Sequence, residues 1–322
     1  MMIDAPYFNR CYFGDCREIL KELKAAKAQV QTCVTSPPYF GLRDYQVEGQ
    51  LGLEHTPDEY VARMVEVFRG VRDILADDGT LWLNLGDSYA AQRGGTHQPA
   101  ETLAGGKGGK TEAGERVNRD RHDGYNPTRN ASAIGLKHKD LIGIPWRVAF
   151  ALQADGWYLR QDIIWSKPNP MPESVKDRCT KSHEYIFLLS KSEKYYFDSE
   201  AMKEPGVIPA GTKGAKGSAE RAAQKGVNAR PPEYKIYDGT RNKRSVWHVP
   251  TKPFRGAHFA TFPPALIEPC VLAGSRPHDI VLDPFFGSGT TGLVAQQHNR
   301  LWIGCELNEK YAEIQKMRLN GA

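Results

Sequence analysis

The chain has 322 residues but only six cysteines, Cys11, Cys16, Cys33, Cys179, Cys270 and Cys305. They contain no Cys-x-x-Cys pair and no neighbouring histidine pattern, so neither a disulfide scaffold nor a zinc site is expected, and no metal is assigned. No stretch approaches the roughly 18 to 20 apolar residues that cross a bilayer. The opening Met1-Met2-Ile3-Asp4 also lacks the basic-then-apolar pattern of a secretory signal. A cytoplasmic protein that makes no membrane contact is therefore expected. What the chain does have is 40% apolar residues, enough for one large core. Its length suits an α/β domain carrying one sizeable insertion.

Near the end of the chain, Ile280-Val281-Leu282 reads as a buried strand that runs into Asp283-Pro284-Phe285-Phe286-Gly287-Ser288-Gly289-Thr290-Thr291. A helix-like stretch, Thr291 to His298, follows. A second apolar run, Leu301 to Cys305, delivers Glu306, and Asn308 to Leu319 has the composition of a closing helix. Strand, glycine turn, helix, strand and acid is the order of a nucleotide-binding βαβ unit. Its glycines allow positive φ and close backbone approach to a ligand, and its acid accepts ribose hydroxyls. Glu306 lies 23 residues after Asp283, near the roughly 20-residue spacing of such units. The pattern predicts an adenosine-type cofactor and does not by itself exclude a dinucleotide. No Gly-Lys-Ser/Thr completes a phosphate loop at this turn. Asp283 before the glycines suits a ligand with a cationic amino-acid end, whose ammonium it would attract, and Phe285 or Phe286 would lie against an adenine.

The second informative string, Thr35-Ser36-Pro37-Pro38-Tyr39, follows the short strand-like run Val30 to Val34. Two prolines fix φ and remove two backbone donors, which frees nearby carbonyls to point into a site. Ser36 Oγ and the Pro37 carbonyl would accept the two N–H bonds of an exocyclic amine while Tyr39 stacks on the base.

The two strings together resemble those of S-adenosylmethionine-dependent DNA amino-methyltransferases, in the permuted order with the catalytic motif ahead of the cofactor motif. The likeness extends to Gly14-Asp15-Cys16, Leu81 to Asp87, Ile164-Trp165-Ser166-Lys167-Pro168, His183-Glu184-Tyr185-Ile186, His258 to Pro263 and Ile303 to Glu306. The resemblance implies a Rossmann-like methyltransferase fold and a prokaryotic or phage-encoded enzyme. It implies that S-adenosylmethionine is held by Asp283, Pro284, Phe285, Gly287, Gly289, Thr290 and Glu306, with Asp15 as a further contact unless it only caps the helix after it. His258 and Phe262 would close over the methionine end, and Ser36, Pro37, Pro38 and Tyr39 would hold the target base. In this group serine before Pro-Pro-Tyr goes mostly with cytosine N4 and an acid or amide there with adenine N6, so cytosine is expected and adenine is the alternative. A decayed relative that binds DNA without turnover is a remoter reading. An oxidoreductase using the glycine turn would leave Ser-Pro-Pro-Tyr unexplained. Pro269-Cys270 has the look of a cytosine-C5 nucleophile but lies in an apolar helix-like stretch, and an exocyclic nitrogen needs no covalent enzyme nucleophile.

Elsewhere, Pro57 to Leu75 reads as an amphipathic helix ended by Asp77-Asp78-Gly79, Leu81 to Leu85 as a strand, Ile144 to Ala154 as a helix and Tyr158 to Trp165 as a strand. This alternation predicts one α/β domain over 1–322, with a mostly parallel sheet and helices on both faces. Two segments interrupt it. Residues 88–139 are glycine-rich and polar and are expected to be a mobile loop. Residues 168–257 are expected to be a target-recognition insertion. Within it Lys203 to Arg255 holds twelve Lys and Arg against four Asp and Glu, a local excess of eight positive charges where the whole chain carries +5. Its aromatics, Tyr234, Tyr237 and Trp247, accompany Arg230, Arg241, Lys243 and Arg244, a mixture suited to duplex DNA. A cognate restriction endonuclease is a further possible partner, and either a monomer or a homodimer fits the sequence.

Overall fold

Apolar pairs facing in opposite directions build the frame. The computed structural model describes residues 3, 6–91, 131–132, 134–212, 236–251 and 262–320. In chain order these form β1 (Arg10–Phe13), α1 (Cys16–Ala25), β2 (Val30–Thr35), α2 (Pro57–Ile74), β3 (Leu75–Leu85), α3 (Ile144–Ala154), β4 (Tyr158–Ser166) and β5 (His183–Ser190). Then come β6 (Lys203–Pro205), β7 (Thr240–Asn242), β8 (Val246–His248), α4 (Pro264–Gly274), β9 (Ile280–Asp283), α5 (Thr290–Gln297), β10 (Leu301–Glu306), a 3₁₀ turn (Glu309–Tyr311) and α6 (Ala312–Asn320).

Eight strands make one sheet in the order β1-β10-β9-β2-β3-β5-β4-β8, and β6 pairs with β7 apart from it. The strands from β1 to β3 in that order are parallel; β5 is antiparallel to both of its neighbours; β8 joins β4 in parallel. Along β2, β3, β9 and β10, successive side chains enter different layers. Cys33, Leu81, Leu83, Leu282 and Ile303 face the layer of α1, α2 and α3. Val34, Trp82, Val281 and Trp302 face the layer of α4 and α5. Strands covered on both faces need apolar residues at every position, which is why these runs are continuous. Between β9 and β2 the chain order reverses, and in open α/β sheets ligands bind beyond the carboxyl ends of strands at such a point.

Most elements fall where the sequence predicts them, and one boundary does not. Thr56 caps α2 by accepting from Glu59 N (3.1 Å), but the helix ends at Ile74 and β3 begins at once, so Asp77-Asp78-Gly79 is no terminator. Val30 pairs with Leu75 and Thr32 with Thr80, so the extra residues bulge from the ladder. The bulge keeps the two acids at the rim, where Asp78 accepts from Gln31 Nε2 (3.0 Å).

Of the 88–139 segment, the two ends are described and converge: Ala131 N donates to Ala91 O (3.0 Å) and Lys139 N to Ala90 O (2.8 Å). The remainder of that segment lies outside the described residues, as do Arg230, Tyr234 and His258. Among the described residues no helix is long and apolar enough to cross a membrane.

Cys270 sits in the middle of α4, 1% exposed, and burial pushes its thiol far above the ordinary value. Cys33 and Cys305 are buried with the same effect, whereas Cys179 is exposed. Because the thiolate is the reactive form, brief iodoacetamide treatment of the native protein should label Cys179 first and reach Cys270 only on unfolding. Peptide mass spectrometry checks the order, and early labelling of Cys270 would contradict the burial.

Candidate active site

The two strings meet at the ends of β9 and β2. Thr35 Oγ1 donates to Asp283 Oδ1 (2.6 Å), Thr291 Oγ1 donates to Asp283 Oδ2 (2.7 Å), and Phe285 N donates to Oδ1 (3.0 Å). Asp283 is 1% exposed. Its carboxyl is thus a junction beneath the site and not the open anion that the sequence offered to a ligand ammonium. Burial pushes its pKa up to about 6, against the opposing pull of these three donors.

Above the junction, Gly287 and Gly289 have φ of 51° and 82°, and Gly289 caps α5 in the left-handed conformation that glycine permits. A Cβ placed on Gly287 would meet nothing closer than Phe285 O at 3.9 Å. The turn therefore leaves bare backbone facing a space that a ligand can enter. Pro284 and Thr290 are buried and fix the two ends of the turn. The structure also separates the two phenylalanines. Phe286 is buried and stacked on Trp302, with ring centroids 4.9 Å apart, over the bare backbone of Gly304. Only Phe285, half-buried, remains to face an adenine. Glu306, at the end of β10, accepts from Gly287 N (2.7 Å) and Asn308 N (2.8 Å), so it latches the turn. Gln315 of α6 donates to Gly287 O (2.7 Å) and Arg318 to Ser288 Oγ (2.8 Å), closing the turn from behind.

Asp15 lies beside this end, because Gly14 N donates to Glu306 O (2.8 Å). Its carboxylate is occupied, however, capping α1 at Arg17 N (2.9 Å) and pairing with the Arg17 guanidinium. The capping role that the sequence left open is the one the structure displays. Phe262, half-buried, packs against the α4–α5 core just ahead of α4.

On the other side of the junction, Pro37 is buried and Ser36, Pro38 and Tyr39 are half-buried. Tyr60 of α2 donates to the Pro38 carbonyl (2.8 Å), pinning the turn from below. The Tyr39 ring lies flat against Gly86 after β3, where a Cβ would come within 2.4 Å of the ring. Its hydroxyl donates to Glu184 Oε2 (2.7 Å), lies 3.2 Å from Asn84 Oδ1 and 3.4 Å from Ser36 Oγ. Burial first, and the Glu184 charge second, push the Tyr39 hydroxyl well above its ordinary pKa. Lys167, just past β4, pairs with Glu184 Oε1 and stands 4.3 Å from the Trp165 ring centroid. Asn84 Nδ2 donates to Tyr185 O (3.0 Å) and Glu184 Oε2 (3.3 Å). These groups converge because β5 runs antiparallel, which brings its first residues to the edge where β2, β3 and β4 end. Asn84, Lys167 and Glu184 occur within the resembling stretches, but no spacing in the sequence assigned them to the site. The antiparallel pairing that unites them is not legible from one chain.

The basic residues sit farther out. Arg241 and Arg244 both direct Nε at Glu204 Oε1 (2.9 and 2.7 Å), tying β7 and the turn after it to β6. Arg241 is half-buried in that clamp, whereas the Arg244 side chain is 69% exposed. Lys243 Nζ stands 5.2 Å from the Trp247 ring centroid.

A family model described as DNA methylase matches residues 30–317. The chain belongs to the DNA methylase family. It is an S-adenosylmethionine-dependent DNA amino-methyltransferase. It is 47% identical over 314 residues to the Type II methyltransferase M.Cfr9I of Citrobacter freundii, covering 96% of this chain and 86% of that one. It is 48% identical over 308 residues to the Type II methyltransferase M.SmaI of Serratia marcescens, covering 95% and 89%. Solved structures share the fold. The putative DNA modification methylase TTHA0409 of Thermus thermophilus, complexed with S-adenosyl-L-methionine, has a TM-score of 0.57 at 22% identity over 97% of this chain and 93% of that one. The PvuII DNA methyltransferase, described as cytosine-N4-specific, has a TM-score of 0.53 at 20% identity, with the same coverage. The expected Rossmann-like methyltransferase fold, with its mostly parallel sheet and permuted motif order, is the one this methylase has. The bare backbone at Gly287, the half-buried Phe285 and the acid at the end of β10 fit S-adenosylmethionine.

The junction carries a pH signature in the methylase. Since Asp283 has a folded pKa near 6 and an unfolded one of about 3.9, the folded state holds the extra proton between those values. The stability contributed by this carboxyl is therefore greatest below about pH 4, falls as pH rises to about 6 and is flat above that. Urea unfolding of the wild type and Asp283→Asn between pH 4 and 7 should show the variant gaining on the wild type across this window. A pH-independent difference would show that the carboxyl titrates normally.

Proposed function

We propose that the enzyme methylates the exocyclic N4 amine of cytosine in duplex DNA, with the base turned out of the helix into the space at Ser36 to Tyr39. The reading is carried by Ser36. It places a neutral hydroxyl, and no acid or amide, next to the residue that contacts the cofactor junction. When bound, S-adenosylmethionine supplies a methyl group on a positively charged sulfur. The residues of the chain do the rest. Ser36 Oγ and the Pro37 carbonyl accept the amine's two N–H bonds, which draws the nitrogen lone pair out of conjugation with the ring. Tyr39, with one ring face against Gly86, offers the other to the base. Phe285 and Glu306 hold the adenosine across the junction, and Phe262 closes the methionine end. Turning the base out is required because within a base pair the amine faces its partner strand.

Of the 168–257 region expected to be an insertion, β5 (His183–Ser190) is a central strand of the sheet, so the part after it, residues 191–257, is proposed to read the target. The exposed Arg244, with Arg241 and Lys243, would contact phosphates, an interaction that weakens steeply with salt. The relatives are bacterial Type II methyltransferases, which supports a cytoplasmic modification enzyme that acts beside a cognate endonuclease. Adenine N6 is the second reading, supported by a family model whose name spans both N6 and N4 methylases.

Nucleoside analysis of plasmid DNA from cells expressing the enzyme should reveal N4-methylcytosine, and N6-methyladenine in its place would select the second reading. Ser36→Ala should slow methyl transfer about a hundredfold while leaving cofactor affinity unchanged; wild-type turnover would remove Ser36 from the chemistry. Glu306→Ala should weaken S-adenosylmethionine binding about tenfold or more in calorimetry. Unchanged affinity would restrict Glu306 to its latch on Gly287.

A further inference from the structure

We propose that Glu184 is a positioning residue and the proton terminus of a one-way hydrogen-bond chain that begins at Ser36. The inference rests on Ser36 holding the target amine. The direction of the chain follows from donor inventory. Lys167 only donates, and it holds Glu184 as an ionised carboxylate. An ionised carboxylate only accepts, so the 2.7 Å contact uses the single Tyr39 hydroxyl proton. With that proton committed, Tyr39 can meet the Ser36 hydroxyl at 3.4 Å only as an acceptor. Ser36 therefore donates inward, and its lone pairs are left for the N–H bonds of an amine. Asn84 braces the carboxylate from β3 by donating to Oε2 (3.3 Å) and to Tyr185 O (3.0 Å). Its Oδ1, 3.2 Å from the Tyr39 oxygen, faces the same hydroxyl at longer range.

The same chain accounts for a proton that the reaction must dispose of. The N–C bond forms from the nitrogen lone pair as the S–C bond breaks, with its electron pair left on sulfur. The nitrogen then carries an additional proton and the positive charge. That proton passes to Ser36 Oγ, the Ser36 proton to the Tyr39 oxygen, and the Tyr39 proton to Glu184 Oε2. The end state is a neutral secondary amine, two restored hydroxyls and a neutral carboxylic acid, which solvent later deprotonates. Serine and tyrosine have no net charge at either end of the transfer. An acid in direct contact with the amine is thus replaced by an acid two hydroxyls away. The titratable and charged groups facing Glu184 are Lys167 just past β4, Lys181 just ahead of β5, His183 at its start, and Tyr39 from the turn after β2.

The test is single-turnover methyl transfer against pH for the wild type, Glu184→Gln, Glu184→Asp, Tyr39→Phe, the Glu184→Gln/Tyr39→Phe double variant, Lys167→Met and Ser36→Ala. Thermal unfolding and fluorescence-measured affinities for S-adenosylmethionine and DNA accompany each. Glu184→Gln should lower kcat about ten- to a hundredfold, abolish the acidic limb of the profile and leave both affinities unchanged. Glu184→Asp should restore the limb. The double variant should lose no more than the worse single variant, as expected for groups acting in series. Lys167→Met should move the limb to higher pH, since the carboxylate loses its cation. A wild-type rate and limb in Glu184→Gln, or additive losses in the double variant, would overturn the relay while a slow Ser36→Ala leaves the amine-holding reading intact. Wild-type turnover in Ser36→Ala would instead overturn the reading on which the relay rests. Should Glu184→Gln fail to fold, Lys167→Met decides alone: a limb that does not move overturns the proposal.

Discussion

The site depends on one buried carboxyl. Asp283 collects a hydroxyl from Thr35, another from Thr291 and the backbone N–H of Phe285, and the first of these bonds joins residues 248 positions apart. Thr35 is followed directly by Ser36, and Asp283 is followed two residues later by Phe285. A bond of 2.6 Å between the leading residues therefore sets the distance between the string that would hold the base and the turn that would hold the cofactor. Burial works against this carboxyl, as its raised pKa records. Three donors and a close-packed sheet supply the compensation, and a buried polar group without such partners would destabilise the fold by several kcal/mol (~2–7). Methyl transfer in line needs its reacting atoms held near 3 Å, and a rigid junction beneath both strings is the means by which this sheet provides that constancy.

Much of this was legible in the sequence. The apolar pairs of β2, β9 and β10 read as strands because both of their faces are buried. The glycines at 287 and 289 read as a ligand turn because positive φ is costly for other residues, and the observed angles agree. What the sequence concealed has a common physical cause, which is that it depends on pairing between distant elements. Phe285 and Phe286 look equivalent in one dimension, and only the packing of Phe286 on Trp302 and Gly304 tells them apart. Asp283 looked like a free anion because its partner Thr35 lies at the other end of the chain. Asp77-Asp78-Gly79 looked like a helix stop, yet the ladder absorbs those residues as a bulge. Glu184 was legible only as part of a resembling stretch with no role attached, since it reaches Tyr39 only through the antiparallel placement of β5.

The permuted order of the two strings follows from the same geometry. What the chemistry requires is that β9 and β2 be neighbours with both carboxyl ends at one edge, and hydrogen bonding between strands is indifferent to which is synthesised first. The chain is free to begin at the far edge with β1, cross to β2 at the centre and return to β9 at the end, provided that the switch point is preserved. That freedom has a consequence for the insertion. With the catalytic string early and the cofactor string late, the long connection between them must pass the end of the sheet where β4 and β8 lie. The basic residues at 241, 243 and 244 are carried there, on the side of Ser36 and Tyr39 away from the cofactor turn. The strand order itself thus puts Ser36 and Tyr39 between the glycine turn on one side and the positively charged surface on the other, the arrangement that the proposed entry of a base drawn out of a duplex would need.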